Sequence, residues 1–436
     1  SFKPRVGAQE RDEGEGSVEA RNRIGSNPNN NVLWVYLAIK FNKEEFTMKL
    51  TKNMWRLAGG VATAALFASG VAQGAGLPKT MIWTSYDFGS AGFAQASGVA
   101  NAFKKKYGTR IRIVPSGTGI GRLLPVTQRK AHYGFLATET FFASEGTYDF
   151  AVPQWGPQDL RIVLAPPTTT GLTVPKGSKF ADGHNLKGIR LGYVKGNPSV
   201  NVKTDALLAY AGLKRSDITP VWFGGYGVMK GARLTGKIDG FLMSPFSGIT
   251  RELEASPAGI EWIQFDPADK AGWDRIREIA PMYAPAAADV GAGMTKGKPV
   301  NIIEFRYPML VTYADRSESD VYEMAKAMDE AFDGYKNVNA TMPNWAISKS
   351  GKTPADVAWH PGAVKYLKEK GVWTAEAEAW NNKRAARQAR VQEEWNNADE
   401  AYTNWRAEER KKGNKIKAGA GWVEYWTKHR KKVGLE

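Results

Sequence analysis

From Lys79 onward, short apolar runs alternate with stretches of helical periodicity, and this alternation restricts the chain to an α/β fold. Residues 80–84 (TMIWT) read as a strand. Residues 91–107 read as a helix closed by Gly108, and 110–115 (RIRIVP) as the next strand. A helix over 121–130 and a strand over 133–137 (YGFLA) follow. This order predicts right-handed βαβ units and a largely parallel sheet. After a turn-rich break the pattern resumes. Strands are expected at 161–165, 172–174, 189–194, 221–223 and 240–243, and a long β-prone run at 302–313 is broken by Pro308. Helices are expected at 202–211, ending at Gly212, and at 321–332.

At 436 residues the chain exceeds what one compact core holds. It has no cysteine, so a disulfide framework, a thiolate nucleophile and a Cys-ligated zinc site are excluded. Its four histidines, His132, His184, His360 and His429, show no metal-ligand spacing, and no metal or cofactor is expected. The net charge of +16 is spread along the chain rather than gathered in a tract. That distribution suits a basic envelope protein handling anions, and nucleic acid is not expected as a partner. There is no GxSxG elbow, P-loop or HExxH motif, so nothing points to catalysis.

Near the start, Lys49, Lys52 and Arg56 precede the uncharged run Leu57–Ala72 and the small residues Gly74-Ala75-Gly76. This is the layout of a cleaved secretory signal over 48–76, the alternatives being a buried helix of the mature fold or an uncleaved anchor, and as a signal it predicts a mature protein in the periplasm. Residues 1–47 then read as sequence upstream of the true start. At the other end, residues 376–436 are rich in Arg, Lys, Glu and Trp. There Val391, Trp395, Ala398, Tyr402 and Trp405 recur at helical spacing. Such a stripe packs against its own lobe or serves as a docking surface, for instance in a dimer.

Ligands of parallel sheets gather at the carboxyl ends of strands, and three loops there are small and polar. They are residues 84–90 (TSYDFGS), 116–119 (SGTG) and 196–199 (GNPS). Each precedes a helix, whose free N–H groups favour an anion. They nominate Ser85, Tyr86, Phe88, Gly117, Thr118, Gly119, Asn197 and Ser199 as ligand-binding residues. Arg122, one turn beyond the second loop, suits a carboxylate. Tyr86, Phe88, Trp155, Trp222, Phe223, Tyr226 and Phe246 are aromatic candidates for pocket walls.

The segments IRIVPSGTGIGRLL, AHYGFLATETFFA, NLKGIRLGYVKGN, GKIDGFLM, YPMLVTYAD and WHPGAVKYLKEKGVW occur in an order that resembles the TAXI-type substrate-binding subunits of TRAP transporters, over residues 79–373. The resemblance implies a type II periplasmic-binding-protein fold. Two α/β lobes would flank a ligand cleft, joined by crossing hinge segments and followed here by a C-terminal helical extension. It implies lobe one at 77–169 and 305–375, and lobe two at 170–304. It further implies delivery of a carboxylate to TRAP membrane subunits. By position, Ser85, Tyr86, Gly117, Thr118, Thr138 and Glu139 fall on the family's binding loops. The loops depart from the family pattern at Tyr86–Phe88, at Asn197–Val200 and at Arg122, which together suggest a bulkier or more aromatic solute. The alternatives are an ABC-importer receptor, a periplasmic sensor partner, or an enzyme on the same bilobed fold.

Overall fold

The computed structural model describes residues 76–436. The upstream segment 1–47 and all but the last residue of the expected export signal lie outside them. The first lobe begins with β1 (Thr80–Tyr86), α1 (Ala91–Tyr107), β2 (Arg110–Ser116), α2 (Gly119–Thr127), β3 (Tyr133–Leu136), α3 (Glu139–Glu145) and β4 (Leu160–Leu164). The strand β5 (Pro167–Val174) crosses to the second lobe. That lobe holds β6 (Arg190–Val194), α4 (Pro198–Tyr210), β7 (Thr219–Phe223), α5 (Met229–Leu234) and β8 (Phe241–Met243). It continues through α6 (Gly248–Glu254), β9 (Glu261–Trp262), α7 (Lys270–Ile279) and β10 (Ala284–Ala288). The chain returns through β11 (Val300–Arg306) and β12 (Met309–Tyr313). It finishes with α8 (Glu318–Glu330), α9 (Phe332–Tyr335), α10 (Ile347–Ser350), α11 (Pro361–Glu369), α12 (Ala375–Lys411) and α13 (Trp422–Lys432).

The first sheet has the order β2-β1-β3-β12-β4. The βαβ units make β1 parallel to β2 and β3, but β12 is antiparallel to both β3 and β4. The second lobe departs further from the parallel expectation. Its main sheet, β10-β11-β5-β8, is antiparallel, whereas β6 and β7 pair in parallel and single parallel bridges join Leu191 to Gly240 and Asp182 to Gln264. The cause is the crossover. One strand run leaves lobe one and another returns, so the two meet antiparallel, β11 on β5 in one lobe and β12 on β4 in the other. Two α/β lobes joined by paired crossing strands form the arrangement of type II periplasmic binding proteins.

Each lobe has its own core. Trp83 stacks on Phe135 in lobe one, whereas Trp262, Trp273 and Tyr210 fill lobe two. A third, aromatic core belongs to the extension. Val391, Ala398 and Tyr402 of α12 pack on Trp422 and Trp426 of α13, and Trp395 lies edge-on to both of those indoles. The stripe is thus mostly covered within the chain, by α13 more than by its lobe, with Trp405 left 44% exposed. The extension is also bolted to lobe one. Glu145, the last residue of α3, receives Arg384 and Arg387 from α12 and Arg430 from α13. No helix among the described residues is long and apolar enough to cross a membrane.

Candidate functional site

The loops at the strand ends meet across the cleft and join the lobes directly. Ile120 N donates to Gly196 O at 3.0 Å, Tyr226 N to Gly117 O at 3.1 Å, and Gly248 N to Gly89 O at 3.1 Å. Gly117 suits this seam because an added Cβ would lie 3.0 Å from Asp87 Oδ2 and 3.4 Å from the Gly225 backbone. Side chains also cross. Asn197 Nδ2 donates to the Tyr86 hydroxyl, and Val202 of α4 joins the lobe-one core. The protein is therefore in a closed conformation.

The seam encloses a cavity of about 60 Å³ between the lobes. At the ~10–15 Å³ that one water-sized group requires, this holds roughly four to six such groups. Its apolar wall comes from Tyr86, Tyr226, Leu242, Met243, Phe305 and Tyr307. Two cations reach it from opposite sides, Arg122 on α2 and Lys203 on α4. Both are 2% exposed.

Arg122 is fixed by Glu139, the first residue of α3. Its Nε lies 2.6 Å from Oε1, and Nη2 donates to Oε2 at 2.8 Å. The guanidinium also lies over the Tyr86 ring, 4.2 Å from the centroid. Burial works against its charge, but Glu139 and the neighbouring hydroxyls of Tyr307 and Tyr86 outweigh it, so Arg122 is held above its ordinary range. One nitrogen, Nη1, meets no acceptor among the described residues. A buried guanidinium donor without an acceptor is suited to a carboxylate or sulfonate oxygen.

Lys203 is in a different state. Its Nζ donates to Thr138 Oγ1 at 3.0 Å, Ser199 O at 3.1 Å and Ser199 Oγ at 2.8 Å. All three partners are neutral oxygens. The ammonium also sits 4.4 Å from the Phe305 centroid. Burial pulls it well below the usual lysine range, and the charges of Glu139 and Asp356 only partly oppose that.

Of the residues nominated from sequence, Tyr86, Arg122 and Ser199 line the cavity. Glu139, Thr138 and Asn197 stand one contact behind, on Arg122, Lys203 and Tyr86 respectively. Ser85 is buried in β1, and its hydroxyl meets no partner among the described residues. The remaining candidates have other positions. Thr118 caps α2, its Oγ1 accepting from Gly121 N at 3.0 Å, so its hydroxyl supports the helix. Gly117 and Gly119 sit at the lobe seam, where close approach of the opposite lobe needs them small. Phe88 is 65% exposed and packs on Phe93, because its loop turns it outward. Phe223 ends β7, outside the cavity wall. Among the other aromatic candidates, Tyr226 lines the cavity. Trp222 lies on Tyr193, Trp155 on Phe150, and Phe246 borders a separate hollow.

Lys203 was not among the nominated residues, although its signal was present. It is the only basic residue of α4 and lies one turn after Ser199, so both point to the same face. Tyr307 and Phe305 were hidden because they arrive from the far end of the crossing strand.

Residues 89–371 match the sequence profile of the NMT1-like family, a span covering most of the chain. The chain belongs to the NMT1-like family. No curated protein matches the sequence of this NMT1-like protein. Among solved structures it is similar to the alkanesulfonate-binding protein SsuA from Xanthomonas axonopodis pv. citri bound to MOPS. There the identity is 14%, coverage is 75% of this chain and 93% of that one, and the TM-score is 0.39. It is also similar to the periplasmic aliphatic sulphonate binding protein SsuA from Escherichia coli, at 16% identity, 71% and 91% coverage and a TM-score of 0.40. A third is a putative L-cystine ABC transporter protein from Listeria monocytogenes, at 10% identity, 63% and 97% coverage and a TM-score of 0.36.

Proposed function

We propose that this NMT1-like protein is an extracytoplasmic solute receptor, which closes its two lobes on one small organic anion and presents it to a membrane transporter. The observation that carries the reading is the convergence of two buried cations, one from each lobe, on one cavity between the lobes. Burying one such charge without a counter-charge costs several kcal/mol. Arg122 already has Glu139, whereas Lys203 has only neutral oxygens, so an anion that reaches Lys203 and the free Nη1 of Arg122 offsets that cost at Lys203 only when the lobes are shut. The closed form therefore gains from the solute what the open form does not, and that difference in affinity is what drives hinge closure. The cavity's size and its aromatic and aliphatic wall favour a short carboxylate or sulfonate with an apolar body over the bulkier solute expected from the loops.

The expected export signal supports a place outside the cytoplasm. For the partner there are two readings, a TRAP permease, from the segments named above, and an ABC importer. ABC transport is what the name of the Listeria protein states. Reconstitution with each class of membrane complex separates the two. The receptor reading is tested by native mass spectrometry of purified protein with acetate, propionate and methanesulfonate, alongside small-angle scattering. One bound anion with a smaller radius of gyration is expected. A panel that neither binds nor compacts the protein sinks the reading.

A further inference from the structure

Asp356, in the loop between α10 and α11 of lobe one, is 0% exposed. Neither of its carboxylate oxygens meets a hydrogen-bond donor among the described residues. The charged groups facing it come from four elements: Lys203 on α4, Arg384 on α12, Glu139 on α3 and Arg306 at the end of β11. Tyr283, just before β10, adds a buried hydroxyl that meets no partner of good geometry among the described residues. Two of the cations are engaged elsewhere. Arg384 donates to Glu145, and Arg306 donates to the carbonyls of Pro354, Ala165 and Lys349. Lys203, in turn, is influenced by Glu139, Asp356 and Arg122.

Arg122 and Lys203 at the cavity wall, with Glu139 and Asp356 acting on Lys203 from behind it, sum to zero when all are ionised. Seating an anion among them leaves one uncompensated negative charge among side chains that are all almost fully buried. An unpaired buried charge is removed by protonation, at the group whose charged form is least supported. Glu139 is held by Arg122, whereas Asp356 has no donor. We propose that an anionic solute enters the closed site together with one proton taken from solvent, and that Asp356 holds this proton. Lys203 keeps its ammonium for the solute. Lys203 belongs to lobe two and Asp356 to lobe one, so the pair assembles only on closure, and proton uptake is tied to it. Burial already pushes the Asp356 carboxyl well above the usual range, with Lys203 opposing.

This inference rests on the receptor reading, and calorimetry of the full chain distinguishes the failure of each. Acetate, propionate and methanesulfonate are titrated at mildly alkaline pH, above the range to which burial lifts the Asp356 carboxyl, in two buffers of different ionisation enthalpy. The expected result is uptake of close to one proton per bound anion in the wild type. Uptake should fall to near zero in Asp356→Asn, which still binds. Across the window in which Asp356 is ionised without solute and protonated with it, affinity should weaken by about tenfold per unit rise in pH. Wild-type binding with the same heat in both buffers overturns the inference and leaves the receptor reading intact, and it needs no variant to fold. Uptake that persists in Asp356→Asn also overturns it. Binding of no probe at all removes the receptor reading and the inference together.

Discussion

Lobe one buries two carboxylates that share a neighbour, Arg384, and treats them in opposite ways. Glu145 is saturated by Arg384 at 2.8 Å, Arg387 at 2.9 Å and Arg430 at 3.2 Å. Burial alone would raise its pKa, but the Arg387 hydrogen bonds and the three positive charges bring it down to about 2. Asp356 has no donor among the described residues, and its pKa moves the other way. The difference separates architecture from function. A carboxylate with every lone pair used fixes the extension on α3 and has nothing left to bind. One buried with none used is poised to change charge when its surroundings change.

The largest effect should follow from breaking the saturated site. Glu145→Ala leaves three arginines crowded and partly buried without a counter-charge. Such a loss costs about 3–5 kcal/mol, read by denaturant unfolding. The pH dependence carries the same information. Glu145 has a folded pKa below its ordinary 4.5, so its contribution is fully present above 4.5 and is lost as pH falls through about 2. Wild-type stability should therefore drop in that acid window, and the drop should shrink in Glu145→Gln. An unfolding midpoint that Glu145→Ala leaves unmoved would show that the clamp is decorative.

The unsaturated site should respond with the opposite sign. The folded pKa of Asp356 is raised, so its ionisation destabilises the closed protein increasingly as pH rises from the ordinary carboxylate range towards the folded value, and by a constant amount above it. Asp356→Asn removes that penalty, and a gain of ~1–3 kcal/mol is expected at alkaline pH without solute. Lys203→Met should likewise cost little or stabilise at neutral pH, since it removes a buried charge held only by neutral oxygens. Solute affinity should nevertheless fall at least about tenfold, the equivalent of ~1.4 kcal/mol. Thermal denaturation with and without propionate reads both. A Lys203→Met protein that is destabilised yet binds normally would make Lys203 a structural residue.

The contrast also shows what sequence patterns carry. Strand–helix alternation located the elements of lobe one closely, because each is local. It missed the antiparallel character of lobe two, because β5 and β11 are paired by a crossover that brings residue 303 opposite residue 170. The loops that meet at the lobe seam were legible as glycine- and hydroxyl-rich strand ends. Which of their atoms face a cavity was not, since a threonine that caps a helix and one that binds a solute look alike in sequence. Asp356 was invisible for a related reason. The charges that act on it most come from α12, through Arg384, and from lobe two, through Lys203, both remote in sequence.

Thr118 is the residue on which these two readings diverge most simply, and its effect should be the smallest. Its Oγ1 accepts from Gly121 N at 3.0 Å at the head of α2, and it does not line the cavity. Thr118→Ala should cost about 1 kcal/mol of stability through the lost cap, and Thr118→Ser should restore most of it. Affinity for propionate should follow neither change, because Arg122, one turn along the same helix, is held in place by Glu139 rather than by the cap. A loss of affinity in Thr118→Ala that serine rescues, at unchanged stability, would move the hydroxyl from the helix to the solute. It would also extend the unsaturated class of buried polar groups from Asp356 into the second loop.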